Sequence, residues 1–136
     1  MQRKAAIVAA VAGATLALTV SVASATSMNA KLGARLSGMG EHGTVNLEVT
    51  EGSGKVCWTF DVPMLQGATR ATVDVGQSAT VLFELGMDYS KTGCATESKM
   101  TLQHLEAKPS SYSVWVDTKA HPGDVRGTLF AGMASM

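Results

Sequence analysis

Cysteine, histidine and unbalanced charge are all scarce in this 136-residue chain, and each scarcity closes off a class of function. The three histidines, His42, His104 and His121, fall at a strand start, in a helical stretch and in a turn. Scattered in this way, each reads as a solvated surface residue without the partners that a general base or a metal centre needs. Eleven basic residues balance eleven acidic ones, so no Lys/Arg cluster offers a footprint to nucleic acid or to an anionic membrane. Gly52-Ser53-Gly54 and Gly76-Gln77-Ser78 are turn sequences rather than a nucleophile elbow. No glycine-rich phosphate loop precedes a helix, and no other cofactor motif emerges. The methionines beyond residue 25 are dispersed, as gap-filling and exposed side chains are, and form no copper-binding cluster.

What is present begins at the N-terminus. Arg3 and Lys4 precede an uncharged stretch from Ala5 to Val22, and Ala23-Ser24-Ala25 supplies small residues where a signal peptidase cuts. Spanning a bilayer takes roughly 20 strongly apolar residues. This stretch is rich in alanine and diluted by Gly13, Thr15, Thr19 and Ser21. Residues 1–25 are therefore expected to be a cleaved secretion signal rather than an anchor. No cysteine lies near the cut to carry a lipid, and no second apolar run of membrane length follows. The remaining 111 residues carry nine basic and eleven acidic side chains, a net charge of −2, and suit one domain with one core. Both cysteines, Cys57 and Cys94, lie in this part. In an oxidising compartment an even count favours a disulfide over two free buried thiols. A two-cysteine metal site would lack histidines at ligand spacing.

Period-two alternation, punctuated by glycine, dominates the mature chain. Residues 43–50 place Val45, Leu47 and Val49 on one face; residues 55–62 do the same with Val56, Trp58, Phe60 and Val62. The turn at 51–54 makes these two runs a hairpin. Residues 69–75 set Ala71, Val73 and Val75 against Arg70, Thr72 and Asp74, and residues 79–85 align Val81, Phe83 and Leu85. Residues 86–96 read as a polar loop carrying Cys94. Residues 97–108 are the one expected helix, with Leu102 and Leu105 on its apolar side and Pro109 as its stop. Residues 112–118 set Tyr112, Val114 and Val116 against Ser113, Trp115 and Asp117, and a last strand follows at 124–130. With a weaker first strand at 31–36, the count is about seven. The pattern predicts an all-β, antiparallel, immunoglobulin-like β-sandwich with one short helix near 97–108. Cys57 falls on the face opposite Trp58 and Phe60, which puts its disulfide outside the core if the strand is regular. The expected boundaries are a signal at 1–25, a linker at 26–30, the domain at 31–130 and a frayed tail at 131–136.

The order of several short motifs resembles the CHRD family, the module named from chordin and also found alone in secreted bacterial proteins. They are Lys55-Val56-Cys57-Trp58, Ala68 to Gly76, Gly93-Cys94, Ala107 to Tyr112, Val116-Asp117-Thr118, and Pro122 to Leu129. The last blocks match a family frame of the form NP-x-x-Y-Y-V-x-V-H-T followed by P-G-G-x-I-R-G-x-L. Where the family carries A-H-I-H-x-G, this chain has Ala71-Thr72-Val73-Asp74-Val75-Gly76, and where the family has V-H-T it has Val116-Asp117-Thr118. All three histidines that could have shared an ion are replaced. The resemblance implies that Thr72, Asp74 and Asp117 converge. They are either a candidate ligand or calcium site, together with Arg126, or exposed residues on outer strand faces. Arg126 is otherwise structural, pairing with Asp124 or with backbone carbonyls.

The expected activity is that of a secreted, non-enzymatic binding or structural module. Its partner would be an extracellular protein or surface ligand, with no cofactor or metal, no nucleic acid, and no membrane once the signal is cleaved. The rival expectations are a metal-dependent oxidoreductase resembling copper-zinc superoxide dismutase, against which the missing histidines count, and a calcium-dependent adhesion module using Asp74 and Asp117.

Overall fold

A computed structural model describes residues 29–38, 40–120 and 125–135. The expected signal and His121 lie outside the described residues. Eight strands form among those described: β1 (Asn29–Gly38), β2 (Glu41–Thr50), β3 (Lys55–Asp61), β4 (Ala68–Val75), β5 (Val81–Glu84), β6 (Thr92–Thr96), β7 (Tyr112–Thr118) and β8 (Val125–Ala131). One helix, α1 (Lys99–Ala107), lies between β6 and β7. Every pairing is antiparallel, and the strands make one sheet in the order β5-β4-β7-β8-β1-β2-β3-β6.

The alternation in the sequence becomes the inner face of this sheet. Leu32, Ala34 and Leu36 of β1, Val45, Leu47 and Val49 of β2, and Val56, Trp58 and Phe60 of β3 all enter one core. Val73, Val114, Val116 and Leu129 enter the same core from the other half of the sheet. Two layers facing a shared interior make the fold sandwich-like, but they are the two halves of a single curled sheet rather than separate sheets. The segment between β5 and β6 closes the seam between the sheet's two edges. Leu85 N–H donates to Ala71 O at 2.9 Å, Tyr89 N–H to Thr69 O at 3.1 Å, and Phe60 N–H to Lys91 O at 2.8 Å. The rings of Phe60 and Tyr89 meet at 5.1 Å across it.

The helix is shorter than its sequence signal. Ser98 caps it, its Oγ accepting from Thr101 N–H at 3.1 Å, so the first turn begins at Lys99. Leu102 and Leu105 are fully buried, a burial that stabilises the docked helix by roughly 1.5–3 kcal/mol each. The turn into β3 needs a left-handed residue, which Gly54 supplies at φ 69°.

Three expectations are corrected. The loop at 86–96 contains a strand, β6, whose Thr-Gly-Cys-Ala-Thr sequence carries no apolar alternation. It pairs with β3 because Cys94 sits directly opposite Cys57 and because Gly93 leaves room for the Trp58 indole. A Cβ at Gly93 would lie 2.5 Å from that ring. The expected linker is already strand from Asn29 onward. The expected frayed tail is held: Ala131 ends β8, and residues 132–135 run over the outer face of β1 and β2. Gly132 N–H donates to Lys31 O at 2.8 Å, while the Asn46 amide takes both polar groups of Ala134, accepting at 2.6 Å and donating at 3.2 Å. Ala134 is buried as a result.

Candidate functional site

Strand register brings distant residues into rows on the outer face of β4, β7 and β8. Arg70 pairs with Asp117, Thr72 with Trp115 and Asp74 with Ser113 across β4 and β7, and Trp115 in turn faces Arg126 on β8. Two register shifts flank this part of β4, one between Ala68 and Arg70 against β7, the other between Val73 and Asp74 against β5. Such bulges re-aim side chains locally.

Trp115 is locked in place by a relay. Its indole N–H donates to Ser113 Oγ at 2.7 Å, and the Ser113 hydroxyl donates to Gly76 O at 2.6 Å. The Arg126 guanidinium stacks over the ring, 4.5 Å from its centroid, a cation–π contact. Beside the indole lies a cavity of about 180 Å³ walled by Thr72, Asp74, Asp117 and Arg70, with Ala79 and Val81 completing it. Thr72, Asp74 and Asp117 therefore converge, while Arg126 reaches the site through its stack on Trp115.

The sequence left open whether these were exposed residues on outer strand faces, and for two of them that alternative fails. Asp74 is 2% exposed and Thr72 4%; Val81 of β5 and the Trp115 side chain of β7 line the same cavity beside them. The Thr72 hydroxyl donates a short hydrogen bond to Asp74 Oδ1. Burial holds the Asp74 carboxyl above the usual aspartate range; the Thr72 hydrogen bond opposes this, Asp117 adds to it by like-charge repulsion, and Arg70 opposes it. Arg70 bridges Glu84 at 3.4 Å and Asp117 at 3.9 Å. These half-exposed pairs contribute at most about 1 kcal/mol each and serve mainly to orient the guanidinium.

Trp115 and Arg70 are the site residues that sequence reasoning did not single out. Their signal was an indole on a strand's wet face, beside a carboxylate that pairs with an arginine across the sheet. Among the described residues no three His, Cys, Asp or Glu side chains group as a metal ion would need. Calcium takes six to eight oxygens, and Thr72, Asp74 and Asp117 form a partial set. His42 and His104 are exposed and lie on separate elements. The Cys57–Cys94 disulfide forms on the outer face of β3 and β6 with its Cα atoms 3.9 Å apart. A second cavity of about 150 Å³ opens next to it, walled by Lys31, Asn46, Glu48, Cys57 and Met133 among others. No protein-family model matches the chain, and no curated protein does.

Proposed function

We propose that this chain is exported and acts outside the cytoplasm as a non-enzymatic binding module of CHRD type, with its ligand contacts on the outer face of β4 and β7. The observation that carries this reading is the convergence of Thr72, Asp74 and Asp117 on one cavity beside an indole held by its own hydrogen-bond relay. Pre-set side chains around a concave, partly apolar surface are what a binding site requires. Export is supported by the charged start, uncharged stretch and small-residue cut of residues 1–25, and by a disulfide suited to an oxidising compartment. The non-enzymatic part is supported by the cavity's chemistry: the Thr72 proton is directed into Asp74, and among the described residues no imidazole lies in the walls.

A fragment screen by heteronuclear NMR on the exported protein tests the reading. Hits should gather at Thr72, Asp74, Trp115 and Asp117, and the protein's N-terminus should be Thr26 or a residue close to it. Hits confined to other surfaces would overturn the site. One mole of copper or zinc retained per mole of protein after dialysis would overturn the non-enzymatic part.

A further inference from the structure

The cavity beside Trp115 holds an electrostatic imbalance that one kind of ligand resolves. Asp74 is almost wholly buried, yet among the described residues its side chain takes one hydrogen bond, from Thr72. No cationic group of those residues comes within ion-pair distance of it. A buried carboxylate is costly to keep charged unless a cation answers it. Arg70, which also walls the cavity, is committed to Glu84 and Asp117.

We infer that this cavity is a site for a primary alkylammonium group, its ammonium set among Thr72, Asp74 and Asp117 and its stem along Ala79, Val81 and the Trp115 indole. The inference rests on the binding reading above and specifies its ligand class. An ammonium brings three donors and a full charge to a wall of three oxygen-bearing side chains, and the indole offers the stem an apolar surface. A metal ion would find too few oxygens, and a neutral polyol would leave the Asp74 charge unanswered. About 180 Å³ admits a short alkyl stem. Two sources carry this chemistry, a free amine and the lysine side chain of a protein partner.

The test is a titration of the exported protein with butylammonium chloride, followed at the Trp115 indole N–H, with 1-butanol and butyrate as stem-matched controls. Butylammonium should give a saturable shift, butanol a response at least about tenfold weaker, and butyrate none; loss of a charge-assisted contact predicts a similar factor for Asp74→Asn. Asp117→Asn provides a second variant with the same expected direction. Tighter binding of Nα-acetyl-lysine amide than of 1,5-diaminopentane supports the ammonium site and assigns it to a lysine side chain; the reverse order supports it and assigns it to a free amine. No shift with butylammonium, an equal response to butanol, or affinity unchanged in both variants overturns the inference. Saturation of the cavity by butanol or butyrate alone would sink the ammonium assignment and leave the binding reading standing, whereas a fragment screen empty at this cavity would sink the reading itself.

Discussion

Replacing both cysteines, Cys57→Ser with Cys94→Ser, should cost this domain stability without disturbing its core. The bridge spans 37 residues of sequence, and closing a loop of that length removes unfolded-state entropy worth about 4 kcal/mol at 25 °C in the chain-entropy treatment. The structure indicates that little else is lost. Cys57 is half-buried and Cys94 exposed, while their neighbours Val56 and Trp58 are the side chains that point inward. Serine at both positions therefore opens no cavity, and five backbone pairings still hold β6 against β3. The expected phenotype is a native near-ultraviolet circular dichroism spectrum with a midpoint of thermal unfolding lowered by on the order of 15 °C. Urea unfolding followed by tryptophan fluorescence gives the free energy directly, and the m-value should rise as the released chain exposes more surface. A loss below about 1 kcal/mol would refute the entropic account, because the same loop closure would then be constraining nothing in the unfolded chain. A collapsed near-ultraviolet spectrum without denaturant would refute the placement of the bridge outside the core.

Gly93→Ala drives a methyl group into the Trp58 indole and should destabilise by about 1–3 kcal/mol in urea melts; wild-type stability would mean that β6 does not lie on that ring. Asn46→Ala leaves the Ala134 amide without its acceptor and should cost about 1–3 kcal/mol, with faster hydrogen exchange confined to residues 132–135; unchanged protection there would contradict the held tail. Because burial raises the Asp74 carboxyl above its unfolded value of 3.8, the folded state favours the protonated form. Its penalty is absent below that value, grows as pH rises through the folded value, and is complete above it. Asp74→Asn should accordingly unfold at a higher temperature than wild type at neutral pH, with the gap closing on acidification, and a gap that widens towards acid would reverse the assignment. Combining Thr72→His, Asp74→His and Asp117→His should create measurable zinc affinity, since imidazoles suit zinc and the three positions share one cavity; isothermal titration showing no gain would contradict their convergence.

Most of the strands were legible because period two is a local property: alternate side chains point to opposite faces whatever the rest of the chain does. Val45, Leu47 and Val49 declared an inner face, and so did Val114 and Val116, and the structure buries all five. The helix was legible from Leu102, Leu105 and the Pro109 stop; it starts two residues later than its signal, after the Ser98 cap, and ends one residue earlier, at Ala107. Strand β6 was not legible, because Thr92–Thr96 carries no apolar alternation and owes its conformation to a disulfide and an indole contributed by β3. The held tail was hidden for a related reason: small, patternless residues after Ala131 gain their partners from Asn46 and Lys31 on strands distant in sequence.

The same division runs through the candidate site. Sequence alone put Thr72 and Asp74 on one face of a strand and Asp117 on the matching face of another, since side-chain direction follows from position along a strand. Only the tertiary structure decided that this outer face would be covered, because coverage depends on which strands become neighbours. Strand β5 flanks β4 on one side, and Trp115 leans in from β7 on the other. Alternation encodes direction, residue by residue; burial of a carboxylate on the solvent side is set by side chains that meet it from across the sheet.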